Sequence, residues 1–222
     1  MSDKKDTSTL FNRIAKHYDR FNFLASFGIE KIWRKKIKTL FIPKGDILDL
    51  GCGIGELSEI INDDKCSVIG VDPAINMLKI GKKKGYDLKF INGYGENLPF
   101  KDNSFDFIIS AFVFRNLKDI DKTLSEIKRV LKHGGELIIL DFFWPENYLL
   151  SFFFTQYLKN ILPFIYKILG GNPQDIKHLY FSIKNFYNIK NFKLLLKSHE
   201  FDNIRYLNLS FNLARYFIIK KG

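Results

Sequence analysis

The sequence predicts an α/β protein: a Rossmann-like, mostly parallel seven-stranded sheet with helices on both faces and an antiparallel last strand. Three observations predict it. Short apolar runs alternate with helical stripes through the first two thirds of the 222 residues, the order that builds parallel sheets. A glycine-rich turn, Gly51-Cys52-Gly53-Ile54-Gly55, closes the first apolar run. The last two runs, 203–209 and 213–220, are too near each other for a helical crossover and should pair antiparallel at the end of the sheet.

Residues 1–9 are polar and charged and read as a disordered arm, not a signal peptide. The pattern from Leu10 to Leu40 is helical with a break near Gly28, since Ile29, Ile32, Trp33, Ile37 and Leu40 fall near helical spacing. Asp46 to Leu50 is the first strand, and Leu57, Ile60 and Ile61 mark the helix after it. Ser67 to Asp72 is the second strand, with Pro73 where a first helical residue is tolerated. Leu88 to Asn92 is the third. Phe105 to Ala111 is the fourth, and its run Phe107-Ile108-Ile109 predicts burial on both faces. Ile120, Leu124, Ile127 and Leu131 form one apolar helical stripe. His133-Gly134-Gly135 is a turn, and Glu136 to Phe142 the fifth strand. Residues 143–187 are aromatic-rich and lack strand alternation, which predicts inserted helices over the sheet's carboxyl edge. Phe192 to His199 is a further helix. The expectation is a single domain, 1–222, with amino-terminal lid helices at 10–40 and the helical insertion at 143–187.

A chain of this length buries most of its apolar surface without disulfides or a structural metal. Only Cys52 and Cys66 are present, without metal-ligand spacing, so no metal is expected and a reducing, cytoplasmic setting is. The formal net charge is +11, with 28 Lys against 7 Arg, and there are 23 Phe. The Lys are scattered pairs apart from Lys82-Lys83-Lys84, which falls at a helix end where cations suit the macrodipole. No nucleic-acid motif accompanies the charge, so no nucleic-acid partner is expected. The most apolar window, 148–169, is interrupted by Gln156, Lys159, Asn160, Pro163 and Lys167 and is rejected as a membrane span.

Ligands of open α/β sheets bind beyond the carboxyl ends of the strands. Gly51, Gly53 and Gly55 permit a tight turn there, and Asp72, 17 residues after Gly55, stands where an acid accepts both hydroxyls of a ribose. The spacing is not the G-x-G-x-x-G of a dinucleotide site, and Glu56 directly after it opposes a pyrophosphate. A cationic or zwitterionic nucleoside, S-adenosyl-L-methionine, fits.

These residues resemble a family. Asp49-Leu50-Gly51-Cys52-Gly53-Ile54-Gly55 resembles motif I of class I S-adenosylmethionine-dependent methyltransferases. Val71-Asp72-Pro73, Leu98-Pro99-Phe100 with Phe105-Asp106, and Val130-Leu131-Lys132-His133-Gly134-Gly135 resemble their later motifs. Tyr18-Asp19, Ser26-Phe27-Gly28, Trp33-Arg34 and Arg115-Asn116 are similar to the ubiquinone/menaquinone biosynthesis C-methyltransferase family, over about residues 10–145. The resemblance implies methylation of a ring carbon on a polyprenylated quinol, a demethylmenaquinol or a benzoquinol. It implies cofactor contacts from Asp49, Gly51, Gly53, Ile54, Gly55, Asp72, Pro73, Tyr94, Gly95, Glu96 and Ala111. Tyr94 stands where the family usually has an acid or Asn.

In the expected mechanism Arg115 stabilises a phenolate and orients a water, Asn116 fixes that water or a quinol oxygen, and Tyr18 closes the site. His17 and, less so, His133, His178 and His199 are weaker candidates for a base. The aromatics from Phe142 to Tyr166 read equally as a packed lid or as a channel for an isoprenoid tail. With the Lys excess, the second reading implies peripheral contact with the inner face of a membrane. A homodimer is also left open. Two other functions stand beside the quinol reading: methylation of another lipid such as phosphatidylethanolamine, and a non-catalytic cofactor-binding module.

Overall fold

The structure, a computed structural model, describes residues 7–222. The expected arm at 1–9 lies mostly outside them, and Ser8 already begins a helix. Three short helices lead the chain: α1 (Ser8–Ile14), α2 (Tyr18–Ser26) and α3 (Ile29–Ile37). The break near Gly28 is a pair of left-handed residues, Phe27 (φ 51°) and Gly28 (φ 74°), whose N–H groups donate back to Leu24 and Phe23 and end α2.

The alternating part follows as β1 (Gly45–Leu50), α4 (Glu56–Ile61), β2 (Cys66–Asp72), α5 (Ile75–Lys83), β3 (Lys89–Asn92), β4 (Phe105–Ala111), α6 (Ile120–Val130) and β5 (Leu131–Phe142). The insertion is α7 (Tyr148–Gln156), a wide π turn at Tyr157–Ile161, α8 (Leu162–Ile168) and α9 (Pro173–Lys184). Then come α10 (Ile189–Ser198), β6 (Asn203–Leu209) and β7 (Ala214–Lys220). Asp119, Asn147, Asn172 and Asn188 cap α6, α7, α9 and α10 by accepting a backbone N–H.

Two expectations are corrected. Pro73 precedes the N-cap residue Ala74 and is not the first helical residue. The His133-Gly134-Gly135 turn does not precede β5 but is looped out of it. Phe105 pairs with Leu131 and Phe107 with Glu136, so one strand continues on either side of the excursion and Leu131 leaves the α6 stripe to join it.

The sheet order is β3-β2-β1-β4-β5-β7-β6. β1 to β5 run parallel, and β7 is antiparallel to both β5 and β6. Because side chains alternate across a strand, neighbours divide between two cores. Leu48, Ile108, Leu137 and Ile139 pack under α6 and α10, and Ile47, Ile109, Ile138 and Leu140 under α3 and α4. Each fully buried Ile or Leu contributes about 1.5–3 kcal/mol. A third cluster lies above the sheet, where Phe21 of α2 meets Leu158, Leu162, Tyr166, Ile176 and Tyr180 of the insertion. The strand order reverses between the parallel neighbours β1 and β4, so a crevice opens at their carboxyl ends, and this third cluster roofs it.

Candidate active site

The crevice is a cleft lined from the ends of β1, β2 and β4. Gly51 takes φ +70°, and a Cβ there would fall inside the Val113 side chain, so only glycine lets the turn pass beneath the segment after β4. Gly53 takes φ +57° and has nothing within 4 Å of the Cβ position, which leaves bare backbone facing open space. Asp72 braces this turn. Its Oδ2 accepts from Gly53 N at 2.9 Å and its Oδ1 from Ala74 N at 2.7 Å. Burial pushes its carboxyl up to about 6, against those two bonds.

Of the residues expected to meet a cofactor, Gly51, Gly53, Asp72, Pro73, Tyr94, Gly95, Glu96 and Ala111 line the cleft. Asp49, Ile54 and Gly55 stand behind it. Asp49 is 1% exposed, accepts from Ser58 Oγ at 2.6 Å and is likewise raised to about 6 by burial. Ile54 packs in the third core, and Gly55 lies against Phe90 at the start of α4. Their part is to shape the turn that the other residues present. Glu96 also accepts from Asp119 N at 3.1 Å, tying the cleft rim to the cap of α6. Tyr94 is half exposed at the mouth, beside Ser8 of α1.

The lining suits S-adenosyl-L-methionine. Among the described residues the cleft carries two acids, Asp72 and Glu96, and a single cation, Lys118, which is no cradle for phosphate. The open backbone at Gly53 admits a ligand in contact with the main chain, and each Asp72 oxygen keeps a lone pair for a ribose hydroxyl. No cluster of three or more His, Cys, Asp or Glu able to hold a metal occurs among the described residues.

Arg115 and Asn116 sit in a short 3-10 turn just past β4. Arg115 is buried and its Nη1 donates to Asp141 Oδ1, while its backbone N donates to Asp141 Oδ2 at 3.3 Å. The guanidinium lies 5.7 Å from the Phe112 ring centroid and 5.4 Å from that of Phe142. Its Nε is buried with no partner among the described residues. Asn116 donates from Nδ2 to Phe112 O at 3.1 Å and lines the cleft. Its Oδ1 lies 2.9 Å from His178 Nε2, and since an amide oxygen only accepts, His178 donates from that atom. Burial and the Arg115 charge hold His178 below the usual imidazole range, so it is neutral near pH 7.

A second cavity adjoins the cleft, its wall mostly apolar but carrying Glu30, Arg34 and Arg115. Tyr18 and Phe112 belong to both walls. Trp33 and Phe142 continue the second wall on the sheet side, and Phe153, Tyr157 and Leu158 of the insertion close the other. Tyr157 donates from its hydroxyl to Ala25 O, fastening the insertion to the lid. Arg115, not part of the cleft wall, projects into this cavity. Cleft and cavity thus meet at Tyr18 and Phe112, with Asn116 on one side and Arg115 on the other.

Sequence reasoning missed Asp141 and Phe112, and gave His178 little weight. Asp141 carried a signal: like Asp72 it is an acid closing an apolar strand at the carboxyl edge. His178 had none, since its partner is 62 residues away.

The ubiE/COQ5 methyltransferase family matches residues 1–221. The ubiquinone/menaquinone biosynthesis C-methyltransferase UbiE of Campylobacter jejuni subsp. jejuni serotype O:6 is 34% identical over an alignment of 234 residues that covers all of both chains. The demethylmenaquinone methyltransferase of Thermotoga maritima is 34% identical, covering 97% of this chain and 96% of its own. Among solved structures, a SAM-dependent methyltransferase from Thermotoga maritima superposes with a TM-score of 0.71 at 20% identity, covering 96% of this chain and 99% of that one. One from Aquifex aeolicus gives 0.58 at 22%, covering 85% and 88%. The structural likenesses bear on the fold. The sequence match runs through the glycine turn, the lid and the insertion alike: the chain belongs to the ubiE/COQ5 methyltransferase family.

Proposed function

We propose that this methyltransferase transfers the methyl group of S-adenosyl-L-methionine to a ring carbon of a polyprenylated quinol. The observation that carries the reading is the large apolar cavity joined to the cofactor cleft at Tyr18 and Phe112, with a buried guanidinium in its wall. The printed names of the relatives, which speak of ubiquinone, menaquinone and demethylmenaquinone, support it.

When bound, the cofactor supplies an electrophilic methyl group on its sulfonium. A quinol carbon is a weak nucleophile until the neighbouring hydroxyl loses its proton; once the carbon has taken the methyl group, its own ring proton leaves it and the oxygen is reprotonated, which restores the aromatic quinol. Arg115 stays protonated, so it serves by holding the phenolate that forms, not by taking the proton. Asp141 fixes that guanidinium, which lies beside the stacked pair of Phe112 and Phe142 rings. His178 holds the Asn116 amide in one orientation, leaving a spare amide hydrogen for the water that carries the proton away. The apolar walls exclude bulk water and receive the isoprenoid tail.

The tail needs an entrance. Phe27 and Phe153 line the cavity and are also exposed, which marks its mouth, and exposed Tyr148, Leu149 and Phe211 flank other lining residues. Exposed Lys31, Lys159 and Lys167 stand on the same lid and insertion segments. Among the described residues no helix is long and apolar enough to cross a membrane. We read this face as one that leans on an anionic bilayer, so that the substrate enters laterally.

Incubation with labelled S-adenosyl-L-methionine and, separately, demethylmenaquinol, a benzoquinol and phosphatidylethanolamine tests the function. Label on a quinol ring is expected. Label on the amine lipid alone would sink the reading.

A further inference from the structure

Most polar side chains in the wall of the second cavity are already engaged. Glu30 Oε2 accepts from Arg34 Nε at 2.7 Å, Arg115 donates to Asp141, and the Tyr157 hydroxyl donates to Ala25 O. Ser26 donates from Oγ to Asn22 O at 2.8 Å. Asn22 differs. That bond uses its backbone carbonyl, and its side-chain amide has no hydrogen-bond partner among the described residues. The amide is not sealed away either: the buried side-chain atoms that lack a partner belong to Glu30, Arg115 and Arg215. Asn22 is half-buried and lines the cavity, so its amide is open to a molecule there.

The helix explains the placement. Tyr18, Asn22 and Ser26 recur at every fourth residue of α2, which sets them in one polar stripe, and all three line the cavity. Tyr18 also belongs to the cofactor cleft, whereas Asn22 lines the cavity alone. The stripe therefore starts at the junction and runs away from the cleft, and side chains four apart on a helix stand about 5–6 Å from each other.

A ligand that drives water from this cavity must satisfy the amide or leave it bare, at about 1–3 kcal/mol. A hydrocarbon tail cannot satisfy it, and a ring oxygen can. Building on the quinol reading, we propose that Asn22 is a specificity-determining residue whose amide hydrogen-bonds the quinol oxygen remote from the reacting carbon. With the reacting carbon at the junction beside Tyr18, the second oxygen of a 1,4-quinol lies one ring width further along, a span of the same order as the step from Tyr18 to Asn22. The amide presents an acceptor on one side and donors on the other, so a hydroxyl can meet either. Asn22 thus favours a ring with two opposed oxygens and helps fix which ring carbon faces the cofactor.

The test deletes each partner in turn. Dissociation constants are measured anaerobically, with S-adenosylhomocysteine bound, for a short-chain prenylated 1,4-naphthoquinol and for the analogue lacking the hydroxyl beside the prenyl chain. Both rings are measured against wild type and against Asn22→Leu, which keeps the bulk and removes the amide. The dissociation constant of S-adenosylhomocysteine is the control of folding, and Asn22→Ala replaces the leucine variant if that control fails.

Wild type is expected to bind the quinol about 10-fold more tightly than the deoxy analogue, the upper range of a neutral hydrogen bond. The variant should lose that factor on the quinol and bind the two rings alike, with the control unchanged. Wild type that binds both rings within twofold overturns the role of Asn22 alone. So does a variant that weakens both rings equally and keeps the preference, as a merely structural change would. Wild type that binds neither ring overturns it together with the quinol reading.

Discussion

Arg115 is the residue on which charge and geometry converge. Truncation to Ala would leave Asp141, fully buried, without its partner, and is expected to destabilise the fold by about 3–5 kcal/mol. Arg115→Lys separates chemistry from folding: it keeps the charge beside Asp141 but loses the planar fork of the guanidinium. Its kcat should fall about 100–1000-fold, with the S-adenosylhomocysteine dissociation constant unchanged. Asp72 gives a pH signature. Its folded carboxyl sits at about 6, above the unfolded value of about 3.9. Between those values the folded chain holds more protons than the unfolded one, so the burden of burying this carboxylate is relieved as pH falls from about 6 toward 4. Cofactor binding moves the opposite way, because a protonated Asp72 accepts less well from ribose hydroxyls. Calorimetry should show affinity weakening below about pH 6, and Asp72→Asn should flatten that profile while weakening binding at pH 7 about 10–100-fold. Asp72 could be found from sequence because its position at a strand end is local information. His178 could not. It stands between Lys177 and Leu179 on α9 and reads as surface until Asn116, 62 residues away, folds against it.

At the scale of elements, the five parallel strands were legible as short apolar runs, all but β4 closing on or beside a glycine or an acid. The looped-out turn in β5 was not, because a glycine turn has the same composition whether a strand resumes in register or begins. The π turn at Tyr157–Ile161 was also invisible: it depends on how α7 and α8 meet the lid, and no local residue demands it. The insertion's two uses, roof and entrance, separate by face. Inward residues such as Leu158 and Leu162 are 3% and 2% exposed, whereas Tyr148 and Leu149 are 85% and 61% exposed. Replacing Tyr148 and Leu149 by Asp should therefore change stability by no more than about 0.5 kcal/mol each in urea melts. The same pair should abolish sedimentation with vesicles containing anionic lipid at low salt. Unchanged sedimentation would return the exposed aromatics, and the +11 charge, to surface composition.

At the scale of the whole molecule, the sheet is a fixed floor and the lid and insertion form a separate upper layer with its own core. The resemblance covering about residues 10–145 reached the floor and lid, while the upper layer's cavity had to be seen, because its walls come from segments more than a hundred residues apart. One feature of that layer has a thermodynamic corollary. Tyr18 and Phe112 belong to the walls of both the cleft and the cavity, so neither ligand can settle against them without altering the surface the other meets. The two occupancies then share a coupling free energy, and linkage makes it reciprocal. If S-adenosylhomocysteine tightens a naphthoquinol analogue by some factor, typically about 5–150-fold, the analogue must tighten S-adenosylhomocysteine by the same factor. Two titrations run in opposite order should close on one number, and Tyr18→Ala should bring that number toward unity.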